Sequence, residues 1–85
     1  MALPETNAFP RIVRDPRILG GEPTIKGTRI PVRVLVVYRR HEPDLTHLFE
    51  DYPRLTQADF DEALAYYEAH PEEIDRYIRE SGDDM

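Results

Sequence analysis

The chain has 85 residues, no cysteine and a formal net charge of −6. That length makes one small domain with a modest buried fraction, so a dimer interface or a partner is a natural source of extra stability. The composition excludes disulfides and cysteine-ligated zinc; no apolar run approaches the roughly 20 residues of a membrane span; and the start, Met1 to Asn7, has neither the basic stretch nor the apolar core of a signal peptide, so a cytoplasmic setting is expected.

The average charge hides a split. Residues 1–42 hold eight Lys/Arg against four Asp/Glu, and residues 43–85 hold three against thirteen. The asymmetry predicts two faces, one for an anion and one for a basic surface. The plainer reading is a solvated acidic helix with scattered surface arginines.

Residues 1–10 hold two prolines and no periodicity, and read as a loose arm pinned at Phe9. Arg11–Arg14 alternates enough for a short strand, which Asp15-Pro16 ends. Arg17–Leu19 reads as a second, very short strand. Thr24–Lys26 and Thr28–Ile30 read as two more, with turns at Gly20-Gly21 and Lys26-Gly27, where glycine reaches positive φ without a Cβ clash. Two-stranded ribbons are barely stable in water, so these strands must pack on helices or pair with another chain.

Pro31 presets φ for a helix start, and a first helix is predicted from Val32 to about His41. Four valines in six residues also suit a strand. Pro31 and the basic last turn Tyr38-Arg39-Arg40-His41 favour the helix, with Val34, Leu35 and Tyr38 on its inner face and Val37 beside them. A second helix follows Asp44 as N-cap, with Leu45, Leu48, Phe49 and Tyr52 inward. Thr56 caps the third, with Asp59 at N3 and a Leu55–Phe60 staple. From there Phe60, Leu64, Tyr67, Pro71, Ile74 and Ile78 repeat at spacings of four and three, with Ala63 and Tyr77 alongside. Pro71 removes a hydrogen bond, so this helix either kinks or restarts there. Its steady phase predicts a long, proline-kinked C-terminal helix ending at Ser81-Gly82, with a frayed tail over 81–85.

Three strings carry a family likeness: Ile12-Val13-Arg14-Asp15-Pro16; Gly20-Gly21-Glu22-Pro23-Thr24-Ile25-Lys26-Gly27-Thr28-Arg29-Ile30-Pro31-Val32; and Glu50-Asp51-Tyr52-Pro53-Arg54-Leu55-Thr56, followed by Ala63-Leu64-Ala65-Tyr66. Over roughly residues 12–80 the chain closely resembles the bacterial domain-of-unknown-function family 433. The resemblance implies a homeodomain-like helical fold with an N-terminal β extension. It also implies the role of a VapB-type antitoxin in a toxin–antitoxin pair, beside a PIN-like ribonuclease.

Several residues carry candidate chemistry. Arg11, Arg14, Arg17, Lys26 and Arg33, with Gln57 at the start of helix 3, are the candidate DNA contacts; Arg39 and Arg40 complete the basic set. Against a standard helix-turn-helix reader, the opening turns of helix 3 bring Asp59, Asp61 and Glu62 toward a polyanion. Tyr66, Tyr67, Glu72, Glu73, Ile74, Tyr77 and Ile78 are the candidate partner contacts, an acidic amphipathic helix suited to a basic nuclease cleft. Gly20, Gly21, Gly27, Thr28, Arg29 and Pro31 are assigned an architectural role. Arg29 either clamps a phosphate or a partner carboxylate through its fork, or pairs with Asp15, Glu22 or Asp51 to lock the β unit to the helices. His41, His47 and His70 are dispersed without metal spacing. No nucleophile, phosphate loop, cofactor site or metal site is assigned, so an enzyme is not expected.

The expected fold is therefore α+β: a β ribbon over residues 11–31 on a trihelical, homeodomain-like or helix-turn-helix bundle over 32–80. The expected function is an antitoxin that occludes a PIN-like ribonuclease toxin, dimerises through its ribbon and represses its own operon. The alternatives are a stand-alone DNA-binding regulator and an interaction module with neither activity.

Overall fold

A computed structural model describes residues 8–42 and 44–82. Most of the expected arm, the frayed end at 83–85 and Pro43 lie outside the described residues. Phe9 is pinned as expected, with its ring edge-on to Tyr66 at 5.2 Å.

The ribbon is short. β1 (Ile12–Val13) runs antiparallel to β2 (Thr24–Ile25), with Ile12 opposite Ile25 and Val13 opposite Thr24. The far edge of β2 is closed by a bridge between Thr24 and Pro31. The ribbon meets the stability requirement through its own chain: Thr24 and Ile25 are fully buried, and β1 lies against the third helix.

Two of the expected strands do not form. Arg17–Leu19 is a turn running into a single 3-10 turn at Leu19–Gly21. The cause is local: the Asp15 carboxylate accepts from the Arg17 amide at 2.9 Å, and the Ile18 amide donates to the Asp15 carbonyl at 2.8 Å. That folds the chain back before a ladder can start. Leu19, Gly20 and Gly21 then run at φ of 53°, 66° and 92°, which the two glycines tolerate and the leucine does not favour.

Thr28–Ile30 is likewise a tight return, not a strand. Thr28 Oγ1 donates to the Ile25 carbonyl at 2.8 Å and accepts from the Ile30 amide at 3.0 Å. With Gly27 at φ 80°, the Gly-Thr pair closes the turn from both sides.

Four helices follow instead of three. α1 (Val32–His41) forms as predicted, with Pro31 one residue before its first turn. It buries Val32, Leu35 and Val36, while Val34, Val37 and Tyr38 are half-buried, so its inner face is turned from the expected one. α2 (Thr46–Asp51) starts one residue later than Asp44 capping predicts, because Asp44 accepts from the Thr46 amide and hydroxyl in an Asx turn. α3 (Gln57–Ala69) has the full reciprocal capping box between Thr56 and Asp59.

The long kinked helix is corrected to two. α3 ends at Ala69, His70 leaves helical geometry at φ −135° and ψ 55°, and α4 (Pro71–Ser81) begins with proline at its first position. There the missing N–H is no loss, since the first-turn amides have no helical acceptor anyway. Gly82, at φ 79°, closes α4 in the left-handed conformation.

The core gathers Ile25, Ile30, Val32, Leu35, Val36, Leu48, Leu55, Phe60, Ala63, Tyr66, Ile74 and Ile78. α1 is its centre: both α3 and α4 pack on it. No described helix is long and apolar enough to cross a membrane.

Candidate functional site

The basic N-terminal part folds onto the acidic C-terminal helices. Arg11 reaches the start of α3: its amide donates to Glu62 Oε2 at 2.5 Å, and its guanidinium lies 3.2 Å from Asp59 and 3.6 Å from Glu62. Two further ties share one design, an arginine, a tyrosine of α3 and a carboxylate of α4. Arg14 donates to the Tyr66 hydroxyl and, at 2.9 Å, to Glu73, and Tyr66 itself donates to Glu73 at 2.8 Å. Arg40, at the end of α1, donates to the Tyr67 hydroxyl at 3.1 Å and to Asp75 at 3.2 Å, and Tyr67 donates to Asp75 at 2.9 Å. Each guanidinium also sits over its tyrosine ring, 5.6 Å and 5.9 Å from the centroid. Burial lowers the Arg40 pKa, but its bonds to Tyr67 and Asp75 outweigh that and hold it above the ordinary value.

The predicted sites are therefore redistributed. Of the candidate DNA contacts, Arg11 and Arg14 are tied to α3 and α4, and Arg17 forms a fork on Asp15 at 3.0 Å. Arg33 is paired at 2.6 Å with Glu22, and the two side chains are only 17% and 7% exposed. Gln57 donates to Asp61 at 2.9 Å. Lys26 is exposed, with no ion pair among the described residues. Of the candidate partner contacts, Tyr66, Ile74 and Ile78 are core residues, and Tyr67 and Glu73 belong to the seam. Tyr77 is half-buried beneath Arg76, and Glu72 is exposed. Within the domain, α1 and the ribbon pack on the heptad stripe, of which Pro71 stays exposed.

Arg29 does not lock the ribbon to the helices: it is exposed and has no ion pair among the described residues. The lock is Glu22–Arg33, eleven residues apart in sequence and joined across the hairpin. No periodic pattern marks such a pair. The signal available was only that Glu22 and Arg33 flank the two ends of the Gly/Thr/Pro-rich stretch.

After these pairings, one acidic face is left over. Ala58, Asp61, Ala65, Glu68 and Ala69 are exposed and recur at helical spacing along the outer side of α3, and Glu72 is exposed in the first turn of α4. Asp61, Glu68 and Glu72 have no ion pair among the described residues, and the alanines between them let another surface approach closely. A second exposed feature is a groove of about 430 Å³ between the Gly27–Ile30 return and residues 51–54.

The protein-family comparison matches residues 12–67 to the model described as "Protein of unknown function (DUF433)". No curated protein matches the chain. Among solved structures, the chain is similar to the crystal structure of a DUF433 member from Anabaena variabilis ATCC 29413. The two are 40% identical, with a TM-score of 0.76 over 92% of this chain and 87% of that one. The match spans the ribbon, α1, α2 and most of α3, so this chain belongs to the DUF433 family.

Proposed function

We propose that the chain is an antitoxin-type protein that neutralises a PIN-like ribonuclease toxin by covering a basic surface of it with the outer face of α3 and the start of α4. The observation that carries this reading is the unpaired acidic face of Asp61, Glu68 and Glu72 set among alanines. Carboxylates facing solvent without an internal counter-charge raise association rates toward a basic surface and select against acidic ones. The contact differs from the one the stripe suggests, because Tyr66, Ile74 and Ile78 stay inside the domain while a partner is bound.

The homeodomain-like, VapB-type class is the fold context for this reading, and dimerisation and operon repression are added roles within it. A stand-alone DNA-binding regulator has less support. Arg11, Arg14, Arg17 and Arg33 are engaged by carboxylates of their own chain, and the face of α3 left open is acidic.

The test is co-expression with the protein encoded beside this chain, followed by co-purification and an RNA-cleavage assay. The variant Asp61→Asn/Glu68→Gln/Glu72→Gln is expected to bind the ribonuclease at least about tenfold more weakly, the equivalent of ~1.4 kcal/mol, while melting like the parent. Undiminished inhibition by that variant would sink the reading. Removing residues 71–85 is not a test, because it strips Ile74 and Ile78 from the core.

A further inference from the structure

We propose that the groove between the Gly27–Ile30 return and residues 51–54 is a second docking site, one that takes a carboxylate-bearing segment of a protein partner between Arg29 and Arg54. It goes beyond the reading above: its sign is opposite to that of the α3 face, and either can fail without the other.

Two strings far apart in sequence build this groove. Gly27, Thr28, Arg29 and Ile30 form one wall, and Asp51, Tyr52, Pro53 and Arg54 form the other. Both walls are held in place. Thr28 is bonded on both sides of its turn, and Ile30 is buried. Asp51 accepts from the Tyr38 hydroxyl at 3.1 Å, and the Leu55 amide donates to the Tyr52 carbonyl at 2.9 Å. A site set in this way loses little order when it is filled.

Charge selects the occupant. Arg11, Arg14, Arg17, Arg33 and Arg40 each meet a carboxylate of their own chain. Arg29 and Arg54 are exposed and form no ion pair among the described residues, although the Arg29 charge acts at longer range on Asp15, and exposed Lys26 adjoins the same turn. On a chain of net charge −6, two arginines line this groove against one carboxylate, Asp51, which is a local reversal of sign. Two guanidinium forks suit a carboxylate, which each can grip through paired N–H donors.

The same wall disfavours a nucleic-acid backbone. Asp51 lines the groove and Glu50 precedes it, so a run of phosphates would meet like charge. An acidic-apolar peptide spaces its carboxylates two residues apart, so one can meet the arginines while apolar neighbours meet Ile30, Tyr52 and Pro53. An extended acidic-apolar segment therefore fits this groove better than a polyanion does.

The experiment is an amide-resolved NMR titration of the full chain, alone, with a blocked pentapeptide alternating glutamate and leucine. Saturable shifts are expected at Gly27, Thr28, Arg29, Tyr52 and Arg54. They are expected to weaken about tenfold with the glutamine version of the peptide, and equally in Arg29→Gln/Arg54→Gln. The variant Arg29→Lys/Arg54→Lys keeps the charge and loses the fork, so it is expected to fall in between; it also serves if the glutamine variant folds poorly. Three results would overturn the proposal: no shifts at these amides, stronger shifts with an oligothymidylate than with the peptide, or shifts that follow protein concentration alone. The last two would assign the groove to nucleic acid or to a second copy.

Discussion

Apart from Glu80, which pairs with Arg76 along α4 itself, the carboxylates of α3 and α4 fall into two groups that differ in direction and not in chemistry. Asp59, Glu62, Glu73 and Asp75 turn toward the rest of the chain and meet Arg11, Arg14 and Arg40. Asp61, Glu68 and Glu72 turn outward and meet no cation among the described residues. The first group stitches ribbon, α1 and both C-terminal helices together, and the second is available to another molecule. Net charge by segment does not separate them. Seating on the helix does, because residues two apart, such as Asp59 and Asp61, point about 200° apart around the axis. Outside these helices, Glu22 is the most deeply set inward carboxylate, buried with Arg33.

That contrast predicts graded costs, and the deepest pair is the most exposed to failure. Arg33→Ala leaves the Glu22 carboxylate buried without its counter-charge and is expected to destabilise by about 3–5 kcal/mol in urea melts. The double replacement Glu22→Leu/Arg33→Met is expected to recover most of that loss. A full loss in the double variant would mean that the pair does more than neutralise itself.

Next comes the face that a partner would need if the stripe were a docking surface. Ile78→Ala, at a residue 1% exposed, is expected to cost about 2–5 kcal/mol by thermal melting. An unchanged melt would place Ile78 outside the core.

The two arginine–tyrosine–carboxylate triads provide a matched test of burial. Tyr66→Phe removes a hydroxyl from a buried ring, and Tyr67→Phe removes one from a half-buried ring. About 1–2 kcal/mol is expected for the first and under about 1 for the second, because solvent replaces the lost bonds more readily at Tyr67. Equal costs would break the distinction.

The outward group is expected to be silent in stability. Asp61→Asn/Glu68→Gln/Glu72→Gln should melt within about 0.5 kcal/mol per site of the parent. A large loss would show that these residues are structural.

The smallest effect is at Asp15. Its side-chain bond to Arg17, then its backbone bond to the same residue, hold its pKa below the usual 3.8. A carboxylate depressed in the folded state adds stability above its unfolded pKa and loses it as pH falls through the folded value. Carbon-detected NMR titration should therefore give a midpoint below 3.8 for Asp15, and Arg17→Gln should move it upward.

Much of this architecture was legible from residue order. The Thr56–Asp59 capping box, Pro31 before α1, Gly82 after α4 and the glycine turns rest on interactions within a few residues, so local chemistry determines them. Pro71 marked a boundary for the same reason, but residue order left kink and restart both open, and His70 leaving helical geometry decided for a restart. The ribbon was legible in outline but not in extent, because whether Thr28–Ile30 extends or turns depends on where the Thr28 hydroxyl bonds.

Tertiary structure alone decided which charges are left over. Arg14 meets Glu73 across 59 residues, and Arg40 meets Asp75 across 35. Such pairs exist only once α1, α3 and α4 have packed, and no spacing rule reaches that far. Packing also turned α1 so that Val32, Leu35 and Val36 face inward, and it brought Arg29 and Arg54 to one groove without an ion pair among the described residues. The sequence by itself determined most helix starts and stops, the first residue of α2 and the α3–α4 break excepted; the fold determined which of their charges face the chain and which face solvent.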